Sequence, residues 1–225
     1  MEERLVVLDI ETTGMSVEDG HRIIEIGCVE LVARHLTGRD FHRRIDPSRV
    51  IEPSASAVHG IHDADVAHEP QFADIADAFL DYVDGATLVI HNAAFDLTFL
   101  DMELKCFGRP PMRTLCSIVH TLLIARLRHP GQRNSPDALC RRYAIDARSR
   151  AKAHGALIDA SLLAEVYLAM PAGQSAMAFD EHRPVTPKKS RLLASLASSA
   201  HRSLPVTKAT KDEAKAHESR MHAVH

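Results

Sequence analysis

Residues 4–14 read RLVVLDIETTG, and this stretch decides the fold. The apolar run predicts a short buried strand over residues 4–9, and Gly14 allows a sharp turn after it. Asp9 and Glu11 stand two residues apart, so a strand would place both carboxylates on one face of the sheet. A single pair of this kind occurs often by chance and could be two solvated acids at a strand end.

Three further polar residues lie beside apolar runs: Asp96 in LVIHNAAFD, and His154 and Asp159 in AHGALIDASLLAEVYL. A buried charge without compensation is costly. Carboxylates at such positions need a cation, and oxygen ligands select hard ions such as Mg²⁺ or Mn²⁺. Asp96 alone could be a first-turn acid on a helix dipole. The acids together favour a two-metal site that cleaves phosphodiesters.

His154 and Asp159 are five residues apart, which is not the spacing of helical neighbours. We therefore expect His154 on the loop before a helix and Asp159 on the inward face of that helix. A histidine near metal ions suits a general base that deprotonates water. With 15 histidines in the chain, an exposed histidine of no special role is the competing interpretation.

The rest of the sequence shows patterns typical of strands and helices. The expected strands cover residues 4–9, 22–32, 35–46 and 86–92. The expected helices cover residues 70–83, 93–107, 114–128, 136–143 and 155–169, with Ser135 as an N-cap and Pro136 at the first helical position. Three antiparallel strands followed by alternating helix and strand predict an RNase H-like α/β fold with a mixed five-stranded sheet flanked by helices.

Composition argues against a membrane-spanning or secreted protein. The chain has 225 residues and is 45% hydrophobic, and no apolar run reaches the roughly 18 residues of a membrane span. The N-terminus lacks the pattern of a signal peptide. We expect a cytoplasmic protein with no membrane partner. Its cysteines are far apart, which favours reduced, mostly buried thiols. They are Cys28, Cys106, Cys116 and Cys140.

Charge is divided unevenly along the chain. Residues 180–225 contain nine lysines and arginines and five acids, a net charge of +4, whereas residues 1–179 carry −7. An acidic body argues against a tight, non-specific grip on long DNA. An enzyme that holds a few nucleotides through metal ions remains possible, and tighter binding would then come from a partner.

The motifs DIETTG, HNAAFD and HGALIDA together resemble those of the DEDDh 3′–5′ exonucleases, and among them the proofreading epsilon subunits of bacterial DNA polymerase III. The resemblance runs from about residue 5 to residue 179 and includes RIIEIGCVEL, LTGRDFH, AVHGIHD, PDALCRRYAID and LAEVYLAM. It implies a proofreading 3′–5′ exodeoxyribonuclease. Such an enzyme hydrolyses mispaired 3′-terminal nucleotides from a single-stranded or frayed DNA end and releases 5′-monophosphates.

The resemblance also implies roles for the polar residues. Asp9 would bridge two divalent cations, Mg²⁺ or Mn²⁺, with Glu11 and Asp159 completing one metal site and Asp96 supporting the second. His154 would take the proton from the attacking water. Substrate-binding residues would be Asp9, Glu11, Thr12, Thr13, His59, Asn92, Phe95 and Asp159. Asn92 and Phe95 have an equally good interpretation as a strand-end cap and a core residue.

The chain divides into an exonuclease domain at residues 1–173 and a tail. Residues 174–179, QSAMAF, resemble a peptide that binds the sliding clamp, and residues 180–208 have the composition of a flexible linker. Residues 209–225 resemble the segment that attaches epsilon subunits to the catalytic (alpha) subunit of DNA polymerase III. The expected location is therefore the bacterial cytoplasm, at the nucleoid.

Two other functions remain open. A stand-alone DEDDh nuclease could trim RNA or DNA ends, but it would have no need of clamp and polymerase peptides. A non-catalytic subunit could merely stabilise the polymerase, but it would gain nothing from clustered acids and His154.

Overall fold

Strand β1 (Arg4–Thr12) lies at the centre of the sheet in this computed structural model, which describes residues 3–148 and 155–170. It pairs antiparallel with β2 (Ile23–Val32) along its whole length, from Arg4 opposite Val32 to Glu11 opposite Glu25. Two short strands, β3 (His35–Leu36) and β4 (Phe41–Arg44), pair with β2. Because β1 covers one side of β2, β3 and β4 share the other side.

The other half of the sheet is parallel. Strand β5 (Thr87–Ile90) runs parallel to β1, and β6 (Ser117–His120) runs parallel to β5. The six strands therefore fill five positions across the sheet. The mixed sheet flanked by helices, expected from the sequence, is confirmed.

Eight α-helices lie within the described ranges. They are α1 (Pro53–His59), α2 (Asp63–Val66), α3 (Phe72–Val83), α4 (Ala93–Cys106), α5 (Met112–Leu115), α6 (Thr121–Arg128), α7 (Pro136–Arg142) and α8 (Ala156–Ala169). The Ser135 side chain accepts a hydrogen bond from the Ala138 amide, as expected of an N-cap. No helix in residues 3–148 and 155–170 is long and apolar enough to cross a membrane.

Two expected elements differ in detail from the structure. Residues 114–128 are mostly helical, as expected, but β6 separates α5 from α6, because the β-branched Ile118 and Val119 pair with β5. The strand expected over residues 35–46 is interrupted, with Gly38 in the left-handed region at φ 76°. The thiols agree with expectation: three are buried, Cys106 is exposed, and all four are free.

The side chains of β1 alternate between two cores. Val6, Leu8 and Ile10 belong to the larger core, which also contains apolar residues of α3 and α4. Leu5 and Val7 belong to a second core on the opposite face, with Ala160 and Leu163 of α8. By the same alternation, the positions of Asp9 and Glu11 continue the row that faces α8.

Helix α8 is buried on two sides, and this explains why most of its residues are apolar. Ala160 and Leu163 pack on the sheet. Leu162 and Val166 pack with Leu139 of α7 and its neighbours. The first turn of α8, which contains Asp159, is thereby held close to the end of β1.

Gly27 of β2 permits this close approach. A Cβ atom built on Gly27 would lie 2.2 Å from the carbonyl carbon of Ala156, the first residue of α8. Gly27 is also the residue opposite Asp9 in the β1–β2 register. The absent side chain thus lets the start of α8 reach the strand next to Asp9.

Gly27→Ala should lower the stability of the protein by about 1–3 kcal/mol, because the added methyl overlaps backbone atoms that cannot move without shifting α8. Thermal denaturation of the full chain measures the effect. Gly155→Ala is a matched control at the same contact, since its Cβ would meet only the Glu25 carboxylate, at 3.4 Å. An unchanged melting temperature for Gly27→Ala would contradict this account of α8 docking.

Candidate active site

Asp9, Glu11 and Asp159 converge where the row of β1 side chains meets the first turn of α8. Each residue contributes one carboxylate oxygen, and these oxygens lie within 4.8 Å of one another. All three side chains are half-buried. Three carboxylates at this separation provide the oxygen ligands that a divalent cation prefers.

Asp96 reaches the same strand end from the other face of the sheet. It lies in the first turn of α4, only 5% exposed, and its carboxyl group accepts hydrogen bonds from its own amide and from the Ile10 amide. Ile10 stands between Asp9 and Glu11, so all four expected acids surround one short segment of β1. Burial raises the pKa of Asp96 to about 7, against the opposing effect of its backbone hydrogen bonds. A nearby cation would favour the ionised form.

His154 lies outside the described residues. Helix α8 begins at Ala156 with Gly155 as its N-cap, and Asp159 belongs to its first turn. The expected placement of Asp159 at the start of the last strong helix is therefore confirmed, while the role of His154 stays a prediction. The three tail segments, at residues 174–179, 180–208 and 209–225, also lie outside the described residues.

The turn after β1 is held by its own hydrogen bonds. Thr12 Oγ1 donates to the Gly14 carbonyl at 2.7 Å. The Thr13 amide donates to the Arg22 carbonyl at 2.9 Å, and the Thr13 carbonyl accepts from the Glu52 amide at 3.0 Å. Both threonines are buried. Thr13 therefore fixes the shape of the turn with its backbone as well as its side chain.

Buried His21 links this turn to α1. Its Nδ1 is hydrogen-bonded to Thr13 Oγ1 at 3.0 Å, and its Nε2 lies 3.1 Å from Glu52 Oε1. Glu52 is the N-cap residue of α1, and buried His59 ends that helix and accepts from the Ile61 amide through Nδ1. His21 thus connects the turn that contains Thr13 to α1, which ends at His59. These are the two segments expected to contact the terminal nucleotide.

The residues expected near the penultimate nucleotide lie at the start of α4. Asn92 is exposed and, with His91 and Arg126, lines a cavity of about 420 Å³. Phe95 is half-buried and packs against Phe99, with ring centroids 4.9 Å apart. Asn92 can be reached from solvent, whereas the Phe95 ring also belongs to the core packing.

Sequence reasoning missed two buried acids that support the site. Glu103 of α4 accepts two hydrogen bonds from Arg22, each 2.6 Å long, and so ties α4 to the residue before β2. Glu25 of β2 stands opposite Glu11 and accepts from the Ala156 amide at 2.7 Å. Each acid lies within an apolar sequence pattern, and the same signal identified Asp9. The sequence did not reveal which groups these acids bond to, Arg22 for Glu103 and Ala156 for Glu25.

Three comparisons with known proteins agree with this geometry. Residues 6–167 match the family model described as exonuclease (RNase_T). The epsilon subunit of DNA polymerase III from Escherichia coli K12 is 47% identical over 227 residues, which cover 98% of this chain and 93% of that protein.

Solved exonuclease structures share the fold. Exonuclease X in complex with 5′ overhanging duplex DNA has a TM-score of 0.59 at 25% identity, covering 76% of this chain and 95% of that one. The nuclease domain of 3′hExo, a DEDDh family member bound to rAMP, has a TM-score of 0.62 at 17% identity, covering 75% and 92%.

The fold and the acidic cluster define a 3′–5′ exonuclease with an RNase H-like sheet. The chain belongs to the exonuclease family and, within it, to the epsilon subunits of DNA polymerase III. The fold class and the enzyme class expected from the sequence are confirmed.

Asp96→Asn should stabilise the metal-free protein above neutral pH. The folded-state pKa of about 7 lies above the ordinary aspartate value of 3.8, so the carboxylate lowers stability as pH rises through this interval. In chelator, the variant and the wild type should melt at similar temperatures near about pH 4, and the variant should melt several degrees higher near about pH 8. Equal melting temperatures at both pH values would contradict the burial cost assigned to Asp96.

Proposed function

We propose that this chain removes the 3′-terminal nucleotide from a single-stranded or frayed DNA end by two-metal hydrolysis and releases a 5′-monophosphate. The observation that carries the proposal is the convergence of the Asp9, Glu11 and Asp159 oxygens within 4.8 Å, with buried Asp96 bonded to the intervening strand residue. Charge gathered in this way is compensated when cations bind.

The donor set fits two divalent cations, Mg²⁺ or Mn²⁺. All four side chains offer carboxylate oxygens, which hard ions prefer over nitrogen or sulfur ligands. Asp9 would bridge the ions, with Glu11 and Asp159 holding one and Asp96 supporting the other. When bound, two such ions stabilise the attacking and leaving oxygens of an in-line displacement.

His154 supplies the general base in this proposal. It precedes α8 by two residues in the sequence, and α8 carries Asp159 in its first turn. A neutral imidazole there would accept the proton of the attacking water. Activity should then rise with pH as the imidazolium loses its proton.

Substrate contacts are proposed on three segments around the acids. Thr12 and Thr13 would meet the terminal nucleotide, and His59 would lie near its phosphate or sugar. Asn92 and Phe95 would contact the penultimate nucleotide. The hydrogen bonds from Thr13 through His21 to Glu52 support a common position for the first two segments. The exposure of Asn92 supports the third.

Proofreading at the replication fork requires attachment to the polymerase. The match to the Escherichia coli epsilon subunit covers 98% of the chain, so it extends well beyond the domain proposed at residues 1–173 and into the tail. We assign residues 174–179 to the sliding clamp, 180–208 to a flexible linker and 209–225 to the alpha subunit. A tether of this kind raises the effective concentration of the nuclease at the primer end. The enzyme would act in the bacterial cytoplasm, at the nucleoid.

Replacing both Asp9 and Glu11 by Ala should abolish release of mononucleotides from single-stranded DNA in Mg²⁺ or Mn²⁺. The fold should survive, and the melting temperature in chelator should equal or exceed that of the wild type, because mutually repelling carboxylates are removed. Product analysis on a labelled oligonucleotide measures the loss. Ala at exposed Glu69 and Asp81 is the control that removes the same charge elsewhere. Release of internal oligonucleotides, or full wild-type activity in chelator, would refute two-metal exonuclease chemistry.

His154→Ala should lower turnover by about 10²–10⁴-fold, the usual contribution of a general base, with little change in metal binding. The rise of activity with pH should disappear in the variant. His68→Ala, at an exposed position on the same domain, is the control. If His154→Ala kept the wild-type pH–rate profile, the base would be a different group.

A variant that ends at Phe179 should keep its activity on free oligonucleotides and lose stable association with the alpha subunit in size-exclusion chromatography. In the full chain, Ala at Met177 and Phe179 should weaken binding to the clamp without changing catalysis, because apolar anchors dominate such peptide docking. Co-elution of the truncated variant with the alpha subunit would place the attachment in the folded domain.

A further inference from the structure

Glu25 is a buried acid beside the metal cluster to which the proposed reaction gives no role. It lies on β2, opposite Glu11 in the register, and is 3% exposed. Opposite residues of an antiparallel pair project from the same face of the sheet, so Glu25 shares the α8-facing surface with the metal ligands of β1. A carboxylate at this position requires an explanation, because it adds negative charge where three others already meet.

The contacts of Glu25 show what it holds. Its Oε2 accepts a hydrogen bond from the Ala156 amide at 2.7 Å. Its Oε1 lies 2.8 Å from His42 Nε2 and 3.7 Å from Arg44 Nε, both on edge strand β4. One oxygen therefore bonds to the start of a helix, and the other faces basic groups.

Helix α8 needs this contact because its own N-cap cannot provide it. The first amides of a helix have no partner within the helix, and a side chain usually satisfies one of them. The N-cap of α8 is Gly155, which has no side chain to do so. Glu25 supplies the missing acceptor from the adjacent strand, and a negative charge there also favours the helix dipole.

The position of the α8 start decides where Asp159 lies. Asp159 is three residues after Ala156, in the same first turn, and its amide donates to the Gly155 carbonyl at 2.9 Å. A shift of this turn away from β2 would move the Asp159 carboxylate away from Asp9 and Glu11. The absence of a side chain at Gly27 permits the close approach, and the Glu25 hydrogen bond fixes it.

We propose that Glu25 is a positioning residue for the exonuclease reaction: its carboxylate anchors the first turn of α8 to β2 and so places Asp159 among the metal ligands. His42 and Arg44 hold the other side of that carboxylate, which keeps it from competing for the cations. This inference rests on the metal-ligand set proposed above.

The alternative is that Glu25 only stabilises the fold. Glu30 is an example of a buried acid with such a role. Glu30 is a fully buried acid on the same strand, and it accepts hydrogen bonds from Arg4, Arg39 and Thr37. It stands opposite Val6, while the metal ligands follow later on β1. Glu30→Gln is therefore a matched control that removes a buried charge from β2 without touching α8.

The test compares Glu25→Ala, Glu25→Gln and Glu30→Gln in the full chain. Two quantities are measured while Mn²⁺ is titrated: the rise in melting temperature, and the rate of mononucleotide release from single-stranded DNA. Glu25→Ala should need about tenfold more Mn²⁺ for half of either response, as expected when a residue that orients a ligand is removed. Glu25→Gln should show a smaller shift, because its amide oxygen can still accept from Ala156.

Glu30→Gln should lower the melting temperature and leave both Mn²⁺ titrations at their wild-type midpoints. The proposal is overturned if the Glu25 variants also lose only stability and keep the wild-type midpoints. Glu25→Gln decides the matter if Glu25→Ala does not fold. Asp9→Ala is titrated in parallel: a wild-type Mn²⁺ response in that variant would show that the ligand set itself is wrong, a failure distinct from that of Glu25.

Discussion

Repulsion between carboxylates gathered at one strand end is the constraint on which the rest of this structure depends. Asp9, Glu11 and Asp159 bring oxygens within 4.8 Å of one another, and Asp96 is almost fully buried beside them. Such an arrangement has a free-energy cost in the absence of cations. Burial of Asp96, which raises its pKa to about 7, adds a desolvation cost. The same cost would favour binding of divalent cations, because each ion would offset the repulsion among these carboxylates.

The fold holds these charges together from both faces of one strand. The core shared with α8 lies on the Leu5 and Val7 side of β1, and the core shared with α4 lies on the Val6 and Leu8 side. The acids of β1 therefore meet Asp159 across one face, while Asp96 reaches the strand backbone from the other helix. A sheet covered on both faces is what allows three separated segments of the chain to meet at one strand end.

Supporting contacts fix each of these segments. Gly27 and Glu25 hold the start of α8, and the ion pair between Arg22 and Glu103 ties α4 to the beginning of β2. His21 connects the turn after β1 to α1. Rigid support of this kind matters because a displaced ligand costs both metal affinity and rate.

Much of this could be predicted from the sequence. Asp9, Asp96 and Asp159 were identifiable because each charge adjoins an apolar run, and the fold class followed from the order of strand and helix patterns. Strand β6 was missed because four residues are too few to show a period, and pairing with β5 decides their conformation. The role of Glu25 could not be predicted, because its partner Ala156 is 131 residues away and local patterns do not report such pairings.

The central claim is that these four carboxylates hold two divalent cations. Anomalous scattering tests it most directly, by locating Mn²⁺ in crystals of the full chain soaked with Mn²⁺ and a nucleoside 5′-monophosphate. The account predicts two Mn²⁺ peaks at the end of β1, with Asp9 contacting both ions, Glu11 and Asp159 on one and Asp96 near the other. Absence of Mn²⁺ from these carboxylates at saturating concentration, or ordered ions bound only elsewhere, would contradict it.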